Sequence, residues 1–239
     1  VFSACCGGRG LPMAHYKSTP LPQLLDKIKA MREAGQRDEA FAQLKSLTSL
    51  APEFVPAFDL LAEMQRRRND QDGLGDSLRA LAKLEPKNHI RHTYLADYYL
   101  KRREFQKADV VARQAIALNA LNPRAYNILG DSLVERFMPE DAEFYYRQVL
   151  LLHQPVPKLC ISLGNCYKRM GRLREAEAFF RQADYLDPGN LDALLAWMRM
   201  EEARSELSRA WELYARIPAD KRKLPGVSIT AASLHRRGK

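Results

Sequence analysis

The sequence predicts an all-α fold, a solenoid of antiparallel helix pairs, and three columns of residues predict it. With a step of 34 residues, Ala40, Leu74, Ala108, Ala142, Ala176 and Ala210 fall in register. Leu50, Leu84, Leu118, Leu152 and Leu186 form a second column, and Leu61, Leu95, Leu129, Leu163 and Trp197 a third. Such a fixed step marks a repeat array, in which each unit buries its apolar face on the next rather than around one globular core.

Residues 1–20 carry glycines and prolines without a helical period and read as a disordered tail. Six repeats then start at 21, 55, 89, 123, 157 and 191 and run to residue 224, each splitting into two amphipathic helices. The first has Lys27 in the leucine column, which suits an outer cap facing water. The second has Leu74 between Gly73 and Gly75, and Gln65 where an aromatic recurs. Two glycines in the first turns of a helix cost up to about 1 kcal/mol each, so this repeat is expected to be the softest internal joint. The third repeat supplies Leu95, Ala96, Tyr99, Ala108 and Ala115, and the fourth Tyr126, Leu129, Gly130, Leu133, Ala142 and Tyr146.

In the fifth repeat Pro157 opens the first helix, where its missing N–H matters little. Gly171 ends that helix by accepting a left-handed turn. Ala176, Phe180 and Ala183 mark the buried face of the second helix, and Asp187-Pro188-Gly189-Asn190 stops it. The sixth repeat carries Glu201 in the aromatic column and ends at Pro218. Residues 225–239 read as the first helix of a truncated seventh repeat, with Ala231, Ala232 and His235 on template columns. The missing second helix suggests a fragment of a longer protein. The uncovered apolar side offers a surface for self-association.

Leu163-Gly164-x-x-Tyr167, Ala176-x-x-x-Phe180 and Pro188 resemble the tetratricopeptide repeat (TPR), with Cys160 where that pattern has Trp. The resemblance covers residues 21 to about 220 and implies a right-handed superhelix whose first helices line a concave groove. Small residues at Ala62, Ala96, Gly130 and Gly164 would let paired helices approach closely, and Tyr146, Phe180 or Tyr214 would fill the space between repeats.

The resemblance also implies where a ligand would lie: the second, fifth, sixth, ninth, twelfth and thirteenth positions of each repeat. The ninth positions read Lys29, Glu63, Asp97, Asp131, Asn165 and Arg199, and Asp59 joins from a fifth position, giving an acidic stripe. The twelfth and thirteenth positions hold Arg32, Arg66, Arg67, Lys101, Lys168, Arg169, Arg236 and Arg237, although the helix dipole also favours cations there. The candidate contact residues are therefore Asp59, Glu63, Arg66, Tyr94, Asp97, Lys101, Asn127 and Asp131. Interleaved with Leu60, Ile128, Ile161 and Leu195, they would suit a basic, partly apolar peptide or helix. The two-carboxylate clamp of chaperone-binding arrays does not fit, since no three successive repeats supply its Lys, Asn and Arg set. The asparagine ladder of glycosyltransferase arrays fails at sixth positions that read Asp26, Leu60, Tyr94, Ile128, Ser162 and Ala196.

Composition argues against other classes. The formal charge is +9, but residues 1–20 carry +2 and residues 220–239 carry +5, leaving a nearly balanced array and little case for nucleic acid. The longest apolar run considered, Val149 to Leu152, is far short of a membrane span. Cys5, Cys6, Cys160 and Cys166 form no paired CxxC, and no histidine cluster completes a zinc set. No metal and no cofactor are expected, and the thiols read as buried and reduced in a cytoplasmic setting. No catalytic residue is assigned. His89 and His92 have no nucleophile set beside them, Gly7-Gly8-x-Gly10 follows no strand, and Glu201-Glu202 and Asp38-Glu39 read as solvated helix surface. The expected function is a protein-interaction scaffold holding a partner's peptide or helix in the concave groove. The alternative is a substrate-presenting module of a larger enzyme, because Leu224 to Lys239 is similar to arrays that precede bacterial sulfotransferase domains.

Overall fold

The structure, a computed structural model, describes residues 20–238. The readings made of residues 1–19, including the tail and Cys5 and Cys6, lie outside the described residues. Thirteen α-helices account for the regular structure among the described residues, with one 3₁₀ turn at Lys221–Lys223. They are α1 (Leu21–Glu33), α2 (Arg37–Leu50), α3 (Val55–Arg67), α4 (Gln71–Leu84), α5 (His89–Lys101) and α6 (Phe105–Leu118). There follow α7 (Pro123–Glu135), α8 (Pro139–Leu152), α9 (Pro157–Arg169), α10 (Leu173–Leu186), α11 (Leu191–Ala203), α12 (Leu207–Ala215) and α13 (Pro225–Arg237). Odd-numbered helices thus begin 34 residues apart.

The described residues divide into two compact units, 20–95 and 96–238, with the division inside α5. In the first unit α1 packs on α2, α2 on α3 and α3 on α4. Leu24, Leu25, Ile28, Ala40, Leu44, Leu47, Leu61 and Met64 form its core. In the second unit α7–α8, α9–α10 and α11–α12 are hairpins, and each second helix also packs on the next first helix. The first helices α7, α9, α11 and α13 touch one another in sequence as well. The core runs continuously through Leu129, Tyr146, Leu163, Phe180, Trp197 and Leu213.

Close packing explains the columns. Ala40, Ala108, Ala142, Ala176 and Ala210 are all fully buried, at positions where a larger side chain would push the helices of a pair apart. The glycines that directly follow the leucine column are demanded still more strictly. A Cβ on Gly130 would lie 2.6 Å from the Tyr146 ring, and one on Gly164 would lie 2.5 Å from the Phe180 ring. Each aromatic ring therefore rests directly on the backbone of the helix before it.

Two readings of the sequence need correction or a new reason. Glu201 and Glu202 are not solvated surface: both are buried. Glu201 accepts from the Trp197 indole N–H at 2.9 Å and meets Arg204 at 3.5 Å, so burial is compensated by a donor and a cation. Glu202 accepts from Ser233, and Arg237 donates to its backbone carbonyl at 3.0 Å, which docks α13 on α11. In the second repeat, α4 runs unbroken through both glycines and is capped by Asp70, which accepts from the Gly73 N–H at 3.0 Å. A Cβ on Gly73 would lie 2.6 Å from the Gln65 amide. Gln65 itself is buried and accepts from Ser77 Oγ at 2.7 Å. The departures at Gln65 and Gly73 are thus one local solution, a polar pair needing room, rather than two independent defects.

α13 buries Val227, Thr230 and Leu234, and His235 packs against Trp211 with ring centroids 4.6 Å apart and planes tilted by 58°. Ile229 is exposed. No helix among the described residues is long and apolar enough to cross a membrane.

Candidate functional site

Acids and arginines about one repeat apart meet across neighbouring hairpins. In the first unit Arg32 reaches Glu63 at 3.2 Å and Arg68 reaches Asp38 at 2.6 Å. Arg91 forks onto both carboxylate oxygens of Asp59, one bond being 2.8 Å. In the second unit Arg172 meets Glu143 at 3.2 Å, Arg209 meets Glu177 at 2.7 Å and Arg216 meets Asp184 at 2.7 Å. Single exposed pairs of this kind are worth about 0–1 kcal/mol. Their recurrence ties each hairpin to the next. Burial raises the Glu143 and Glu177 carboxyls, but hydrogen bonds from Tyr167 and Arg147, with the Arg172 charge, bring Glu143 below the usual range, and Arg209, Arg181 and Arg204 do the same for Glu177.

Such pairs take up three of the four acids proposed for contact. Asp59 and Glu63 are engaged by Arg91, Arg32 and Arg67, and Asp97 by Lys101 at 2.8 Å and Arg124 at 3.1 Å. Asp59, Glu63, Arg66 and Tyr94 share the wall of a small hollow of about 170 Å³ in the first unit, together with Arg91. Asn127 is half-buried and its Oδ1 is buried without a hydrogen-bond partner. The acidic stripe is therefore largely neutralised from within, which removes most of the free negative charge expected to attract a basic partner.

Asp131 belongs to a different network. It accepts from Tyr146 Oη at 2.6 Å and from Ser162 Oγ at 3.0 Å. Burial pushes its pKa up, although both hydrogen bonds oppose the shift. Burial and the nearby Asp131 charge push the Tyr146 phenol well up, so it remains the donor. A carboxyl with a raised folded pKa contributes stability below its unfolded pKa, and that contribution is lost as pH rises through the folded pKa. Asp131→Asn keeps an acceptor for Tyr146 without the buried charge. Urea unfolding should find the variant at least as stable as the parent at pH 7, with the difference shrinking towards pH 4. A clear loss at pH 7 that disappears in acid would show that the ionised carboxylate is the favoured form.

Above Asp131 the second unit carries a cavity of about 590 Å³. The last turn of α5, α7 and α9 supply most of its wall: Leu100 and Lys101, then Asp131, Val134 and Glu135, then Ser162, Asn165, Lys168 and Arg169. Arg103 and Phe105 close one edge and Tyr146 the floor. Of the residues singled out in the sequence, Lys101 and Asp131 meet here. Ser162, Asn165 and Lys168 lay on the template positions but were not chosen, and nothing in the sequence marks them as sharing one cavity. Cys160 and Cys166 are buried and reduced, and burial pushes the thiols up to about 11 and about 12 respectively, so neither is a nucleophile at neutral pH. No cluster able to hold a metal ion occurs among the described residues.

Antiparallel helical hairpins that recur every 34 residues, each packed on the next, are the tetratricopeptide class of fold. Residues 157–190 match the family model of the tetratricopeptide repeat. Among solved structures, the chain is similar to a tetratricopeptide repeat protein from Parabacteroides merdae (14% identity, 95% of this chain and 88% of that one, TM-score 0.69). It is also similar to Pseudomonas aeruginosa PilF (14% identity, 90% and 96%, TM-score 0.66) and to MamA (20% identity, 78% and 94%, TM-score 0.61). At these identities the likeness is one of fold. No curated protein matches the chain in sequence. Folds of this type commonly mediate protein–protein contacts through extended faces and are typically non-catalytic.

Proposed function

We propose that the chain is a protein-interaction module that holds a peptide or helix of a partner against its first helices. The observation that carries this reading is the cavity walled by α5, α7 and α9, which collects side chains from three successive repeats onto one face. The inter-repeat ion pairs stiffen that face, so binding requires little ordering of the module and the entropic cost falls on the ligand. Lys101, Asn127 and Asp131 contribute in the second unit, Asp97 through its pairing with Lys101, and Asp59, Glu63, Arg66 and Tyr94 form a separate contact surface in the first.

Peptides selected from a displayed random library against the full chain test this reading. Binding should fall sharply in Asn165→Trp, which fills the cavity, and persist in Ala178→Trp on the exposed side of α10. Equal binding to both variants would place the contact elsewhere and defeat the proposal. The alternative, presentation of a substrate to a catalytic domain, predicts that the selected peptides share one modifiable side chain rather than a common charge pattern.

A further inference from the structure

At the fifteenth position of every repeat the backbone is left-handed: Gly35, Asn69, Arg103, Phe137, Gly171 and Ser205 have φ between 58° and 87°. Glycine adopts this conformation freely and asparagine tolerates it, but a long or aromatic side chain is disfavoured there. Arg103 and Phe137 are the two bulky exceptions, and both stand at the cavity of the second unit. Arg103 lines it. Phe137 is 84% exposed, and its ring lies under the guanidinium of Arg169, another lining residue, at 5.5 Å. The left-handed turn is common to all six repeats, and only the bulky side chains carried on it are particular to this end of the cavity.

Charge at the same place is unbalanced. One carboxylate, Glu135, serves both Arg103 at 3.4 Å and Arg169 at 3.0 Å. Lys168 is half-buried in the wall and has no acid partner among the described residues. Burial first, then repulsion from Arg199 and Arg169, lowers its pKa. Arg199, one repeat further on, has no acid partner among the described residues and donates to Thr230 Oγ1 at 3.4 Å. Several arginines elsewhere meet acids about a repeat away, whereas among the described residues no acid reaches Lys168 or Arg199 on the adjacent first helices α9 and α11. Ser162 and Asn165 supply polar groups beside them.

We propose that Lys168, Arg169 and Arg199, with Arg103 at the rim, form a subsite that takes the carboxylates of an acidic segment in a partner protein. The inference rests on the interaction-module reading and adds the polarity of the partner. A carboxylate entering the cavity would supply the missing acid, since desolvated arginine and lysine bind oxyanions in charge-assisted hydrogen bonds.

Fluorescence anisotropy with a labelled glutamate-rich peptide and the full chain tests it. Saturable binding is expected, weakened about tenfold or more by Lys168→Glu and by Arg199→Glu and by a rise in salt from about 50 to about 300 mM. Lys223→Glu makes the same charge change on the basic segment before α13 and should alter affinity less than about twofold. Lys168→Gln should melt no lower than the parent, because it removes an unpaired, desolvated ammonium, and should still lose affinity. Absent binding, equal affinity in the Lys168 and Arg199 variants, or tighter binding of a lysine-rich peptide would overturn the proposal. So would a single-stranded oligonucleotide that binds as tightly and is lost on the same substitutions. If the acidic probe fails while library-selected peptides still depend on Asn165, the polarity is wrong and the interaction module stands; if both fail, the module reading falls too.

Discussion

Phe180→Ala should destabilise the second unit by about 3–5 kcal/mol, enough to unfold a marginal array near room temperature. The side chain is fully buried and belongs to the core that runs through the hairpins of that unit. Its ring lies on the backbone of α9 at Gly164, so truncation opens a void between α9 and α10 that neither helix can fill. Arg172–Glu143 and Arg204–Glu177 contacts tie this hairpin to α8 on one side and α11 on the other, which resists collapse into the space. Chemical denaturation followed by far-ultraviolet circular dichroism measures the loss. A change below about 1 kcal/mol would mean that the ring is not wedged as described.

Gly130→Ala is the second large effect, and its direction is opposite to what helix propensity alone predicts. In an exposed helix this exchange stabilises by about 1 kcal/mol. Here the new methyl would meet the Tyr146 ring at 2.6–2.9 Å. The ring cannot swing aside cheaply, because its hydroxyl is held by Asp131 at 2.6 Å. Overpacking of this kind costs about 1–3 kcal/mol, so a net loss should appear as a lower melting temperature. Tyr146→Leu in the same background should recover part of it by removing the clashing ring. Unchanged or raised stability of Gly130→Ala would show that α7 and α8 have slack between them.

The fold class was legible because packing at the helix contacts allows little choice. A 0% exposed alanine recurs at Ala40, Ala108, Ala142, Ala176 and Ala210, and helix-on-helix contact leaves that mark in any sequence. The candidate site was less legible. Asp59 and Glu63 were chosen as acids of the groove, and Arg91 and Arg32 reach them from neighbouring repeats. A signal was present, since acid and arginine lie 32 and 31 residues apart, close to one repeat step. The burial of Glu201 was readable in part from Trp197 four residues earlier, a donor on the same face. Lys168 carried no such mark. It sat among cations that the helix dipole already explains, and its lack of an acid partner appears only when every neighbour is in place.

Hydrogen–deuterium exchange of the full chain, with and without a library-selected peptide, tests the central claim most directly. Bound peptide should slow exchange along α7, α9 and the last turn of α5, and leave the exposed face of α10 unchanged. Protection confined to the second helices α8, α10 and α12 would contradict the assignment of the first-helix face as the surface that holds a partner.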